Sequence, residues 1–371
     1  MKIIVVGSGP AGSSSAYHLA KDGHEVVILD PLGAHEKTCG GGVPQKTFMQ
    51  FPYLYDDYPA ANKLLNDFQI SFNEQEWCRF DMFGGLGIFS RAEHDGHLLE
   101  KAKSAGAKHL KERFSSCSYV EAKWSIKTDK AIHEADYLVG ADGAVSRVRN
   151  QVAKKLPKDA YFKTCDYLLP KMDDVPLHVG FHKEIDGYLW FFPRENSCSV
   201  GIGDFSNDHK RRHRLLDQYL AQLGVSQDKI IEKRSALIPS LRESDIATHE
   251  VAGEGWSLVG DAAGLAEPIT GEGIYFAVYT GEFMARCLRE KRSYQEEFKS
   301  EFSSLLRECK HSRLAYKIVN STLARFVIKR SPEMRRMIGL CMAAVESPHV
   351  YRRQLMWKMP KIIGQAIFRP A

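Results

Sequence analysis

With 371 residues, 44% of them hydrophobic and 26% charged, the chain has the make-up of an ordinary soluble globular protein, long enough for two intimately packed domains. No apolar run is long enough to cross a bilayer and no leader precedes the first apolar run, so a cytoplasmic location is expected. The eight cysteines stand at 39, 78, 117, 165, 198, 287, 309 and 341 without a C-x-x-C pair or metal-ligand spacing, which speaks for reduced thiols and against a disulfide framework or a bound metal.

Lys2-Ile-Ile-Val-Val6 is a short apolar run with a turn signal behind it, the pattern of a buried parallel strand. Gly7-Ser-Gly9-Pro10-Ala11-Gly12 follows, Ser13 to Asp22 reads as a helix, and Glu25-Val-Val-Ile-Leu-Asp30 is a second strand ending in a carboxylate. An acidic residue about twenty positions beyond glycines at this spacing completes a dinucleotide-binding fingerprint. Gly7 permits the tight turn, Gly9 lets the backbone approach a pyrophosphate, and Gly12 lets helix and strand pack closely. The helix N-terminus, opened by Pro10 and Ala11, presents amides to phosphate, and Asp30 accepts hydrogen bonds from ribose hydroxyls. A ligand containing ADP is expected here.

From Pro31 to Pro44 the chain reads as a loop, and its Cys39-Gly40-Gly41-Gly42 tract permits only an open loop or a helix start with bared backbone. Residues 51–85 are rich in aromatics and irregular in pattern; they are assigned to a substrate-facing layer. Arg91 lies at the start of a helix that ends near Gly106, short alternating segments over 107–135 predict an antiparallel meander, and Ala135 to Gly140 is a strand. Runs at 177–181, 187–192 and 198–202 read as further strands, with one helix near 208–223. Gly255 to Asp261 returns to a buried strand, Ile274 opens a helix to about Glu290, and the tail from 294 is helical, broken near Pro332, Pro348 and Pro360.

Two later strand ends carry carboxylates. In Val259-Gly-Asp261-Ala-Ala, Asp261 is placed for a ribityl hydroxyl, and the amides of Gly271, Gly273 and Ile274 aim at an electron-rich ring. In Gly140-Ala-Asp142-Gly143-x-x-Ser146-x-x-Arg149 a third strand end contributes Asp142, and Arg91 is positioned to offset pyrophosphate charge. Each piece alone is a common turn; in this order, each behind an apolar run, they are specific.

The net charge of +5 is unevenly placed, because residues 311–371 hold twelve Lys and Arg against Glu333 and Glu346. Interleaved with Leu, Ile, Val, Phe, Met and Trp, this basic segment reads either as a peripheral contact with an anionic membrane or as a solvated helical face over a packed stripe. Nucleic acid is not expected as a partner, since no recognition motif accompanies the charge.

The order of these motifs over about residues 1–290 resembles the flavoprotein group built on the p-hydroxybenzoate-hydroxylase fold. Within that group, Lys37-Thr-Cys39-Gly-Gly-Gly42 and Gly187-Tyr188-Leu-Trp190-Phe-Phe192-Pro193-Arg194 resemble two signatures of the geranylgeranyl reductase family, Lys-Pro-Cys-Gly-Gly-Gly and Gly-Tyr-x-Trp-x-Phe-Pro-Lys. Thr38 replaces the usual proline, Arg194 the lysine, and Asp30 a frequent glutamate. The resemblance implies an α/β fold with a Rossmann-like FAD-binding domain of the glutathione-reductase type, an interleaved antiparallel-sheet substrate domain and a helical C-terminal segment. On that plan 1–50, 86–155 and 251–292 form the discontinuous FAD domain, 51–85 and 156–250 the substrate domain, and 293–371 the basic helical segment.

The resemblance further implies bound FAD and reduction of isolated C=C bonds in isoprenoid chains, with a prenyl lipid or quinone as substrate. Tyr188, Trp190 and Phe192 alternate along a strand and share one face, as a tunnel wall for a long apolar chain or as core filling. Cys39 reads as a proton donor beside the flavin or as a small residue sealing its pocket, with ordered water as the alternative proton donor. Two rivals are an aromatic hydroxylase or halogenase on the same fold, and a membrane-associated flavin electron relay without lipid turnover. The external electron donor is left open among NADPH, a ferredoxin and a reduced flavin carrier, since no second nicotinamide fingerprint and no cysteine cluster occur.

Overall fold

Apolar runs buried on both faces build a parallel sheet. In the computed structural model of the chain, five parallel strands lie in the order Lys108–Leu110, Glu25–Leu29, Lys2–Val6, Tyr137–Gly140 and Trp256–Leu258. Ala252–Gly253 adds antiparallel at the far edge. The structure describes residues 1–58, 63–73, 75–173, 175–241, 245, 248–267, 269–342 and 348–368. It falls into two units, the first made of Met1–Lys37, Arg91–Tyr161 and Leu237–Cys309, the second of Thr38–Ser90, Phe162–Ala236 and Lys310–Ala371.

In the first unit helix Pro10–Lys21 follows the first strand, and helices Arg91–Ser104 and Ile274–Arg289 pack against it. The helix begins ahead of the expected Ser13 because Pro10, with its fixed φ and missing N–H, serves as the first helical residue. Gly12 sits where helix meets strand: a Cβ built there would lie 1.9 Å from the Gly7 carbonyl oxygen. Gly7 itself has φ +104°, and a Cβ there would lie 2.3 Å from the Ala141 carbonyl oxygen. The expected meander appears as Phe114–Val120, Lys123–Thr128 and Ile132–Ala135, while Lys108–Leu110 leaves it to join the edge of the parallel sheet.

The second unit is built on an eight-stranded mixed sheet in the order Glu232–Pro239, Tyr161–Pro170, Ser197–Asp204, Gly187–Pro193, Leu177–Phe181, Leu64–Phe72, Gln75–Ile88 and Gly42–Pro44. Residues 51–85, expected to be irregular, thus contain two long paired strands. Register shifts between Leu65 and Asp67 and between Ile70 and Ser71 break the two-residue alternation that would have revealed them. The aromatics Trp77, Phe80 and Phe83 have side chains outside the described residues. Gly42–Pro44, read as loop, pairs with Leu86–Ile88, so residues 38–50 join the second unit instead of the nucleotide-type sheet. The alternation of Gly187–Pro193 splits its side chains between two cores. Leu189 and Phe191 pack with Val200, Ile202 and residues of helix His209–Gln222, whereas Tyr188 and Phe192 pack on Phe68, Ile70, Leu86, Ile88, Leu177 and Val179.

Helix Tyr294–Val319 leads into helices Thr322–Arg330, Pro332–Met342 and Pro348–Phe368. Pro332 and Pro348 open helices, as breaks in the pattern predict. Pro360 does not end its helix, because Ile362 and Ala366 beyond it are buried with Val327 and Met337 and hold the last turns in place. Gly12→Ala is expected to lower stability by about 1–3 kcal/mol through overpacking. Gly364→Ala, where nothing lies within 4 Å of the new Cβ, is expected to be neutral or to stabilise by up to about 1 kcal/mol. Urea unfolding of both variants separates the two effects.

Candidate functional site

In the first unit the loops after Val6, Leu29, Gly140 and Leu258 all leave the carboxyl ends of neighbouring parallel strands, where open α/β sheets bind ligands. The first of these loops enters helix Pro10–Lys21, whose N-cap is Gly9 with no side-chain cap and no acidic residue in the first turn. The early amides are therefore left to a ligand, and the positive end of the helix faces it. A Cβ at Gly9 would meet only the Lys37 Nζ, at 3.8 Å, so backbone approach is open there.

Asp30 is placed as expected at the end of its strand, but much of its carboxylate is already committed. Oδ2 accepts the Ser8 N–H at 3.0 Å, and Oδ1 accepts the Leu32 and Gly33 N–H groups at 2.9 Å each. Burial acts to raise its pKa, but these backbone hydrogen bonds outweigh it and the carboxyl lies below its ordinary value. Three of about four lone-pair directions are used, leaving one for a ribose hydroxyl. Asp142 turns to its own loop, accepting from Ser146 Oγ, from the Arg147 N–H at 2.6 Å and from the Val148 N–H at 3.1 Å. The structure thus gives Asp142 a loop-shaping task that the motif alone did not reveal.

Asp261 differs from both. It lies in the short turn Gly260–Ala263, and no described residue donates a hydrogen bond to its carboxylate. Burial pushes its pKa up to about 6, against the pull of Arg91 and Lys37. A Cβ on Gly273 would lie 3.4 Å from Asp261 Oδ1, so the second helix start, Gly273 and Ile274, stands beside the acid as the spacing predicts. Gly271 (φ +72°) spends its N–H on the Glu267 carbonyl at 3.0 Å, leaving the helix-start amides rather than its own for a ligand. Arg91 binds Asp95 through Nε at 2.9 Å and Nη2 at 2.7 Å, and Lys37 Nζ reaches the same carboxylate at 3.4 Å. Buried Asp95 is held ionised, far below the usual carboxyl range, because the Arg91 charge overcomes the cost of burial.

Sequence reasoning missed Lys37, Asp95 and Glu267. The signal for Asp95 was its place four residues after Arg91 on one helix face. Glu267 accepts from Ile269 N–H at 2.9 Å, from Thr270 N–H and from Thr270 Oγ1 at 2.7 Å, and so folds the loop that ends at Gly271. These donors and acceptors fit a dinucleotide: an uncapped helix start for phosphate, two nearby cations, and a half-buried acid awaiting a hydroxyl donor.

In the second unit the two family motifs meet. The Cys39 carbonyl accepts Arg194 Nη2 at 2.7 Å and lies 3.1 Å from Ser199 Oγ. Ser199 Oγ accepts the Trp190 Nε1–H at 3.0 Å and lies 3.2 Å from Asp166 Oδ2, which in turn binds Arg234 Nη2 at 2.6 Å. All of these side chains are buried. Cys39 is half-buried, and its Sγ accepts the Gly41 N–H at 3.3 Å. The three glycines owe their identity to packing. A Cβ at Gly40 would lie 2.3 Å from the Phe192 ring, one at Gly42 2.8 Å from Leu86, and one at Gly41 (φ +83°) 2.0 Å from the Phe89 carbonyl oxygen. Trp190 fills the space over Gly201 and is buried, whereas Tyr188 stacks at 5.8 Å on Phe162 and at 6.4 Å on Tyr316. Of the three aromatics expected to line a wall, Tyr188 and Phe192 keep partial exposure and Trp190 backs them.

The family model for pyridine nucleotide-disulphide oxidoreductases matches residues 1–172. Together with the uncapped fingerprint helix and the Asp261 loop, this defines an FAD-dependent oxidoreductase. The geranylgeranyl diphosphate reductase of Rhodobacter capsulatus is 32% identical over 296 residues, covering 76% of this chain and 73% of the relative. The menaquinone reductase of Mycobacterium tuberculosis is 26% identical over 316 residues, with 77% and 76% covered. The solved structure of a geranylgeranyl bacteriochlorophyll reductase-like protein from Thermoplasma acidophilum shares the fold at TM-score 0.73 and 20% identity, over 98% of this chain and 97% of that one. The chain belongs to the geranylgeranyl reductase family, as its motifs led us to expect.

The raised pKa of Asp261 makes a pH-dependent prediction for the FAD-free protein. Its ionisation is opposed in the folded state, so stability falls as pH rises from the ordinary 3.8 through about 6, and the full cost is present above that. Asp261→Asn is expected to match the parent near pH 4 and to exceed it above pH 7 by up to about 3 kcal/mol. Chemical unfolding across pH checks this, and flavin fluorescence titration is expected to show weakened FAD binding by the same variant.

Proposed function

We propose that the protein saturates isolated C=C bonds of a prenyl chain, carried by a diphosphate, an ether lipid or a quinone. The observation that supports this reading most is the clasp of Cys39-Gly40-Gly41-Gly42 by Phe192, Arg194 and Ser199, which joins a thiol to an apolar aromatic strand. FAD, bound and reduced, supplies a hydride. The remaining requirements fall to the chain. Gly7, Gly9, Pro10, Ala11 and Gly12 hold the diphosphate, Asp30 a ribose hydroxyl and Asp261 a ribityl hydroxyl, with Lys37 and Arg91 offsetting charge.

Saturating an alkene takes one hydride and one proton, and in this reading the Cys39 S–H gives the proton. The Gly41 N–H at 3.3 Å then steadies the resulting thiolate until solvent returns a proton. Tyr188 and Phe192, with Leu86 and Ile88 beneath them, offer the prenyl chain dispersion contacts and exclude water. NADPH, a ferredoxin or a small reduced flavin carrier restores the electrons.

Anaerobic protein reduced with dithionite is expected to be reoxidised by geranylgeranyl diphosphate, a prenylated ether lipid or menaquinone, giving a product heavier by two hydrogens. In heavy water both are deuterium, because dithionite supplies only electrons and the flavin hydrogen, like the thiol proton, is drawn from solvent. Cys39→Ala is expected to keep the flavin spectrum and to lose about 100-fold or more in rate, the range of a missing proton donor. Reoxidation by none of the three substrates, or oxygen-dependent formation of a hydroxylated product instead, overturns the reading; an unchanged rate in Cys39→Ala removes the thiol from it.

A further inference from the structure

The last three helices form a small cluster around buried Val327, Met337, Ile362 and Ala366. Their outer faces mix cations with exposed apolar side chains. Leu323 is 74% exposed and Trp357 81%, and Phe326, Met356, Ile363 and Ile367 are exposed as well. On the final helix Met356, Ile363 and Ile367 recur at i, i+7 and i+11 and so share one stripe. Arg353, Trp357 and Lys361, at i, i+4 and i+8, form the neighbouring row. No helix among the described residues is long and apolar enough to cross a membrane.

The same segment is strongly basic, with twelve Lys and Arg against two Glu over residues 311–371. Glu333 is the one carboxylate side chain among its described residues, and it is taken by Lys358 at 2.6 Å and Lys361 at 3.1 Å. Lys317, Lys329 and Arg353 have no carboxylate partner among the described residues, and the Arg330 guanidinium lies 4.5 Å from the Phe326 ring centroid. Exposed Trp, Leu and Phe beside unneutralised cations match the two halves of a lipid interface: acyl chains below, anionic headgroups above. A second copy of this chain would bring an equal positive charge against the first. Nucleic acid would satisfy the cations and leave the apolar side chains unused.

We propose that this C-terminal helical cluster docks the protein on an anionic membrane surface, its exposed apolar side chains entering the headgroup region and Lys329 and Arg353 meeting lipid phosphates. The docking goes beyond the catalytic reading, and vesicle binding is measured without turnover, so either can fail while the other stands. The FAD-loaded full chain is mixed with phosphatidylcholine vesicles with or without about one-third phosphatidylglycerol, and bound protein is separated by flotation.

Binding is expected only with the anionic lipid and is expected to weaken steeply with added salt. Lys329→Glu with Arg353→Glu is expected to reduce it at least about tenfold, since each basic residue near such a surface contributes about fivefold. Leu323→Ser with Trp357→Ser is expected to reduce it similarly while keeping the flavin spectrum and thermal midpoint, because both side chains are exposed. Failure to bind anionic vesicles, equal binding to neutral ones, or indifference to both double variants overturns the proposal. So does a concentration-dependent dimer that the Leu323→Ser, Trp357→Ser variant abolishes, which would assign the face to a second copy.

Discussion

The close approach of one helix to one strand governs the first unit. With no Cβ at Gly12, the Pro10–Lys21 helix comes down onto the Gly7 carbonyl, and the turn between them becomes short enough to aim the helix axis at a ligand. That single crossing also fixes where everything else converges. Lys2–Val6 lies between Glu25–Leu29 and Tyr137–Gly140, so chain segments depart to both sides of it. The crevice at its carboxyl end then collects Asp30 from one neighbour, Asp142 from the other, and Asp261 from the strand beyond. A methyl group at position 12 would lift the helix away from the crevice where these acids gather.

How much of this was legible follows from how each element is buried. The inner parallel strands, covered on both faces, read as apolar runs with a glycine or aspartate marking where each stopped, whereas the edge strand Lys108–Leu110, partly exposed and polar, carried no such signal. Leu64–Phe72 and Gln75–Ile88 are antiparallel, and their bulges shift the alternation out of phase, so no simple period survives in the sequence. Motifs placed Asp30, Asp142 and Asp261 at strand ends but could not give their rotamers. In space two of the three carboxylates serve their own loops. Lys37 and Asp95 escaped notice because their pairing joins residues far apart in the chain.

Glycine carried two different messages. In the fingerprint its missing Cβ makes room for a backbone crossing and for phosphate. In Gly40-Gly41-Gly42 it makes room for Phe192, Leu86 and the Phe89 carbonyl, so the tract is packed where openness was expected. The consequence for Cys39 is orientation. Its carbonyl is fixed by Arg194 and Ser199, and Ser199 is fixed by Trp190 and Asp166, so the thiol-bearing backbone cannot turn without stranding buried polar groups. Two motifs separated by about 150 residues are thereby one object. The lysine-to-arginine difference at 194 fits this, because a guanidinium offers several donors in a rigid fork where an ammonium offers a point charge.

The charges of the first unit can be taken one step further. Asp95 neutralises Arg91 and draws in Lys37, so neither cation acts as a free unit charge toward Asp261. That is why the acid is pulled only partway back from the effect of burial and still sits near 6. A carboxyl paired directly with Arg91 would have been ionised and already satisfied, as Asp95 is. Asp261 instead retains its acceptor capacity for a hydroxyl, and the hydrogen bond such a hydroxyl donates is strengthened by the charge of the half-buried acceptor. The pairing of Arg91 with Asp95 rather than with Asp261 therefore decides which acid shapes the protein and which remains available to a ligand.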